Sequence, residues 1–221
     1  MSEALKEHGD GLWTVDGLLG GKFPVRMAVL GGEGGKLTLW SPVKLGADVA
    51  EAISKRGTPT RALAPNSYHH LYLGAARTHW PSLELLAAPG VEKKQPSLTL
   101  RTLEEGDSEL DGAIRTRLLP PLRKMTETVT LHRPSKTLVV ADLVFNVQRV
   151  EHWQVGLILR LGGTYKRLAQ SRLIKVLVRD KAAMRAAYEE LLSWDFDRLV
   201  MSHGDVVERG AKDVLARALL G

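Results

Sequence analysis

Seven histidines and no cysteine set the chemistry that this 221-residue chain can offer. A thiolate nucleophile, a thiolate metal site and a disulfide framework are all excluded, which leaves imidazole, carboxylate and hydroxyl as the reactive groups. Four positions stand out because each follows a run that reads as a β-strand: the pair His69-His70, then His132, Asp142 and His203. A rigid sheet fixes where such side chains start, so strand ends are where sites are commonly built. Neutral imidazole and carboxylate are donors for zinc or iron, and a hydrolytic site made from them keeps one position open for water. The metal draws the pKa of that water toward ~7, giving hydroxide near neutral pH. The bland reading of each histidine is a loop side chain whose ring nitrogens are satisfied by backbone. His8, His79 and His152 lack such a setting and read as surface or structural residues.

The elements that must position these groups centre on Val129–Asn146, VTLHRPSKTLVVADLVFN. It reads as two strands joined by a tight Arg133-Pro134-Ser135 turn, with His132 ending the first and Asp142 the second. Upstream, GLWTVDG (11–17), PVRMAVL (24–30) and KLTLW (36–40) are β-rich runs, the last two flanking a Gly-rich connection. That connection lacks the Gly at position 30 and the Ser or Thr at position 37 that a phosphate loop needs, and a strand follows it rather than a helix. A helix is expected from about Gly46 to Arg56, then a strand at 60–64 ending at Pro65, then the loop Asn66 to His70. The spacing predicts a helix over 71–80, a strand at 83–88 and a short helix after Pro89-Gly90. It predicts an irregular acidic stretch at 97–111 and a strand at 112–119. Beyond Asn146 the character is helical, except for a strand running into Met201-Ser202-His203-Gly204. The clearest helix is 181–194, with Met184, Ala187, Tyr188, Leu191 and Leu192 on one stripe. This order, with no internal repeat and no linker, predicts one domain over 1–221 with mixed sheets and helices on their outer faces.

The formal charge is +6. Seven basic residues stand against Asp180 alone between Lys166 and Arg185. Apart from Tyr165 no aromatics interleave with them, so the stretch reads as a solvated helix face rather than a nucleic-acid surface. No apolar run approaches the ~20 residues that span a bilayer, and MSEALKEHGDGL is no signal peptide, so a soluble cytoplasmic protein is expected. A small molecule is the expected partner, with no membrane and no nucleic acid; self-association of the chain is left open.

The succession of hairpin, helix, strand, His-containing loop, HRPSKTLVVADLVFN and MSHG resembles the metallo-β-lactamase superfamily. More narrowly, it is similar to an uncharacterised branch carrying APN-x-x-HH, H-R-P-S-[KR]-T-L…D-L-x-F-N and S-H-G segments. The resemblance covers roughly residues 10 to 210 and implies an α/β fold, a four-layer αββα sandwich. Active members carry H-x-H-x-D-H after the fourth strand. Laid on this chain, that motif falls on Pro65 to His70: Pro65 and Ser67 replace the two histidines of the first metal, His69 replaces the Asp, and His70 matches. His132 matches the third histidine of the first site, Asp142 the bridging carboxylate and His203 the last histidine of the second. Ser41-Pro42-Val43 stands where an Asp is usual.

The resemblance therefore implies a lost first site and a single zinc or iron ion at the second. His70, Asp142 and His203 would hold it, with His69 as a substitute ligand, and His69 or His132 would assist proton transfer. The implied activity is hydrolysis of an ester, thioester or amide. The alternative is a catalytically inactive relative that keeps the fold to bind a small ligand or a protein.

Overall fold

The computed structural model describes residues 4–221. The chain opens with a meander of β1 (Leu5–Gly9), β2 (Leu12–Leu19), β3 (Phe23–Gly31) and β4 (Lys36–Trp40), each antiparallel to the strand before it. Helix α1 (Ala47–Ser54) then crosses over, so that β5 (Thr58–Ala64), β6 (Glu84–Ala87) and the short β7 (Arg101–Thr102) add in parallel. These seven strands form the first sheet in chain order. The second sheet starts with an antiparallel run of β8 (Gly106–Asp111), β9 (Ile114–Leu118), β10 (Thr128–His132) and β11 (Thr137–Val140). Three helices follow, α2 (Trp153–Gly162), α3 (Arg172–Leu177) and α4 (Lys181–Ser193). Then β12 (Arg198–Met201) joins beside β11 in parallel, and α5 (Ala211–Leu220) closes the chain.

The period-two alternation of the strands sorts their side chains into three apolar layers. On β4, Leu37 and Leu39 face outward against Val49 and Ile53 of α1, while Trp40 faces the second sheet. On the second sheet, Val129, Leu131, Leu138, Val140, Leu199 and Met201 face α3, α4 and α5. Val139, Ala141 and Val200 meet Leu30, Trp40 and Leu63 across the middle. Helix, sheet, sheet, helix is thus the layer order the sequence predicts. The indole of Trp40 also donates to Thr130 Oγ1 at 2.9 Å, tying the sheets together through their buried faces. Truncating a fully buried residue of this middle layer, such as Leu30, costs about 2–5 kcal/mol.

Three local expectations differ from the structure. Residues 71–80 form turns and one 3₁₀ segment, Ala75–Thr78, rather than a helix. Gly74 interrupts the run, and the Arg77 guanidinium folds back onto the Leu83 carbonyl, so too little uninterrupted chain is left to nucleate a helix. The segment after Pro89-Gly90 likewise turns without forming a helix. The acidic stretch 97–111 contains β7 and β8, edge strands whose polar residues face solvent, as edges favour. Among the described residues, no helix is long and apolar enough to cross a membrane.

Candidate metal centre

Strands β11 and β12 run parallel with Val140 opposite Met201. Continuing that register by two residues sets Asp142 level with His203 just past the ends of both strands. From the first sheet, β5 leaves through Pro65, whose carbonyl accepts from Thr128 N at 2.7 Å, and this brings the Asn66–His70 loop over the same edge. The loop after β4 delivers Ser41, which holds a left-handed backbone (φ 55°) that non-glycine residues rarely adopt. Parallel strands from both sheets therefore end around one point.

Among the described residues, His69, Asp142 and His203 form the cluster whose ligand atoms suit a metal, all within 4.8 Å of one another. His203 Nε2 lies 3.1 Å from Asp142 Oδ1, and His69 Nε2 lies 3.4 Å from Asp142 Oδ2. The far nitrogen of each ring is also engaged. His203 Nδ1 donates to the Pro24 carbonyl at 2.8 Å, and His69 Nδ1 meets Ser41 Oγ at 2.8 Å. A carbonyl accepts only, so the proton of a neutral His203 ring sits on Nδ1, and a lone pair on Nε2 faces the carboxylate. That nitrogen needs a positive partner there, either a proton or a metal ion.

The ring of His203 is held between Phe145, stacked at 5.0 Å, and Phe23, edge-on at 5.1 Å. Gly204 follows at φ 110°, and a Cβ there would run into the Asn146 backbone, which explains the glycine. Asn146 N donates to the His203 carbonyl at 3.0 Å and its side chain to the Asp205 carbonyl at 2.8 Å, so this asparagine fixes the loop.

Asp142 is held by two further residues. Asn66, fully buried, donates Nδ2 to Asp142 Oδ2 at 2.8 Å, and its Oδ1 accepts from the N–H of Tyr68 and of His69. Glu127 accepts from three successive backbone N–H groups, Ala141, Asp142 and Leu143, at 2.9 to 3.1 Å. Burial, and then the charge of Asp142, push the Glu127 carboxyl up to about 8. Burial alone would raise Asp142 too, but His69 and His203 outweigh it and hold its carboxyl far below the usual range.

The remaining histidines stand elsewhere. His70 is outside the cluster: its Nδ1 meets Gln95 Nε2 at 2.9 Å, and burial followed by the nearby Lys94 lowers its pKa. Of the two adjacent histidines expected as ligand and stand-in, the structure brings His69 to Asp142 and turns His70 to Gln95, because the Asn66 turn presents His69 there. His132 is fully buried between the sheets, with Nε2 on the Gly31 carbonyl at 2.8 Å and Nδ1 on Ser135 Oγ at 2.6 Å. Both of its ring nitrogens are used, so the expected part in proton transfer has no support in its contacts. His8 is structural, bonded to Thr14 and Glu208. Ser41, Pro24, Glu127 and the two phenylalanines went unread in the sequence; the position of Ser41 in place of the usual Asp was the one signal available.

The cluster lies at the base of a cleft of about 510 Å³. Its walls are largely apolar, with Phe23, Phe145 and Met125 inside and Ile158, Leu161 and Leu173 of α2 and α3 toward the mouth.

No protein-family model matches the chain, and no curated protein matches it. Solved structures do. The metallo-β-lactamase FIM-1 from Pseudomonas aeruginosa in its mono-zinc form aligns with a TM-score of 0.66 at 13% identity, covering 98% of this chain and 94% of that one. A metallo-β-lactamase from Hirschia baltica aligns at 0.63 and 13%, covering 97% and 96%. One from Pontibacter korlensis aligns at 0.61 and 10%, covering 98% and 96%. The chain has the metallo-β-lactamase fold.

Proposed function

We propose that the protein is a hydrolase working with one metal ion held by His69, Asp142 and His203. The observation that carries this reading is the His203 ring, whose Nδ1–H is committed to the Pro24 carbonyl while Nε2 stands 3.1 Å from Asp142. Metal-binding histidines are oriented by such a bond to a backbone carbonyl. The donor set fits such an ion: two imidazole nitrogens at 3.1 and 3.4 Å from the carboxylate oxygens of Asp142 are ligand types that zinc takes, and three protein ligands would leave a position for water. The fold is shared with FIM-1, a structure described in its mono-zinc form. When bound, the ion supplies Lewis acidity and a water ionised near neutral pH.

The chain's own residues do the rest. Ser41 orients His69, and Asn66 and the Glu127 cradle orient Asp142. Asp142, whose Oδ2 accepts from Asn66 and whose oxygens face both imidazoles, serves as a ligand rather than as a proton carrier. Phe23 and Phe145 exclude water from the His203 side, which strengthens electrostatic interactions there. The substrate is an ester, thioester or amide small enough for the cleft.

A second reading, an inactive relative that keeps the fold to bind a ligand, rests on the same 3.1 Å contact, which a protonated His203 would also satisfy. Zinc titration separates the two: uptake that His203→Ala abolishes supports the hydrolase, and zinc-independent thermal stability in both proteins contradicts it.

A further inference from the structure

The charge pattern of the cleft narrows the substrate class further. Among the described residues lining it, Asp142 is the one carboxylate, and there is no Lys, Arg or Glu. The polar groups at the base are Ser41, His69, Asp142 and His203; Thr164 and Ser171 stand on the α2–α3 side, and Tyr68 and Tyr72 add phenol hydroxyls on the Asn66–His70 side. The basic residues of the 160–175 region are close in sequence but turned away. Arg160 lies 3.8 Å over the Tyr165 ring, and Arg167 donates to the Gly163 carbonyl at 2.7 Å. A carboxylate or phosphate at the far end of a substrate chain, away from the metal and from Lys94 over the Tyr68 ring, would lose its hydration along the apolar wall and find no Lys or Arg among the lining residues, a desolvation cost that an apolar site does not recover.

The apolar surface, in contrast, is generous and continues outward. Ile158, Leu161 and Leu173 line the mouth at 56, 68 and 64% exposure, large aliphatic side chains that a soluble surface seldom groups together. A cleft of about 510 Å³ lies well within the size range of small-molecule sites, ~300–1,000 Å³. One end is built for a polar reacting centre and the other for a hydrocarbon chain.

We propose that the substrates are uncharged acyl compounds whose acyl chain is apolar and carries no carboxylate or phosphate. This rests on the hydrolase reading above. In the reaction, water adds its hydroxyl to the acyl carbon, the bond from that carbon to oxygen, sulfur or nitrogen breaks, and the leaving group departs with the proton. The chain lies along Phe145 and Met125 toward Ile158, Leu161 and Leu173.

The test compares para-nitrophenyl butyrate, para-nitrophenyl octanoate and the para-nitrophenyl monoester of octanedioic acid on the zinc-loaded protein. Each buried methylene contributes about fourfold to kcat/KM, so octanoate is expected to exceed butyrate by about tenfold or more, allowing for incomplete burial. The octanedioate monoester, with its terminal carboxylate, falls below octanoate by a similar factor. Leu161→Asp and Leu173→Asp, both at exposed positions, narrow the octanoate-to-butyrate ratio. Equal rates for the three esters, or a preference for the charged one, would overturn the assignment while leaving the hydrolase reading intact.

Calorimetry on the metal-free protein provides the second readout, with two non-hydrolysable ligands: decan-2-one and the keto acid of the same chain length. Tighter binding of the ketone supports the acyl class even if no ester is cleaved, in which case the hydrolase reading alone fails. Equal or tighter binding of the keto acid overturns the class.

Discussion

His132 and His203 both sit at the ends of strands of the same sheet, and both are buried, yet their rings are used in opposite ways. His132 gives one nitrogen to the Gly31 carbonyl and the other to Ser135, closing its hydrogen bonding within the sandwich. His203 gives one nitrogen to the Pro24 carbonyl and turns the other to Asp142 at the base of a cleft. Burial and strand-end position do not separate a structural histidine from a functional one. What separates them is whether a ring nitrogen is left for something other than the chain. By that criterion His132 is a joint between β10 and β3, and the HRPS turn that follows serves the hairpin.

The comparison breaks most sharply at the cluster. Replacing His203 or Asp142 with Ala is expected to abolish zinc binding and lower hydrolysis by about a thousandfold, since the metal's whole electrostatic contribution goes with the ligand. His132→Ala in the same assay should leave both within a few fold. A His132 variant that loses metal while remaining folded would show that the two regions are not distinct. Next come the residues that orient the ligands. Ser41→Ala and Asn66→Ala each remove a bond to a ligand, and metal affinity measured by competition with a chelator should fall by about 10–100-fold.

Stability effects are smaller and fall on the other side. His132→Ala removes the ring that bonds the Gly31 carbonyl, leaves Ser135 with Thr137 alone and opens a cavity between the sheets. Denaturant titration should show a loss of about 2–4 kcal/mol. The smallest effect concerns pH. Burial holds the His132 pKa below its ordinary value of 6.5. Below pH 6.5 the unfolded chain therefore binds a proton that the folded chain refuses, and the folded protein loses stability as pH falls from 6.5 toward the lower folded value. In His132→Ala this part of the acid-side decline disappears. An unchanged slope between pH 6.5 and 5, measured by thermal melts, would place the titration elsewhere.

Much of the architecture is legible in the chain because it rests on local pattern. Alternation in KLTLW and TLVV sets which face each strand buries, and HRPS marks its own hairpin. The edge strands β1, β7 and β8 are hidden because partners rather than apolar residues hold them; on β8, Asp107 and Glu109 pair with Arg115 and Arg133. The site divides in the same way. Asp142 and His203 could be named from their positions, but their meeting depends on β11 and β12 pairing in parallel across more than fifty residues of intervening chain. The choice between His69 and His70 turns on one residue of register. It is decided by Asn66 receiving the Tyr68 and His69 N–H groups, a bond pattern that no spacing in the sequence displays.

The proposal that His203 Nε2, 3.1 Å from Asp142, belongs to a metal is the central one. Its most direct test is the metal content of protein purified without chelator, by elemental analysis of the parent chain and His203→Ala in parallel. The parent is expected to hold about one equivalent of zinc or iron per chain and the variant almost none. Less than about a tenth of an equivalent in the parent, with no uptake when zinc is supplied, would contradict it and make the cluster an ion pair between Asp142 and protonated imidazole.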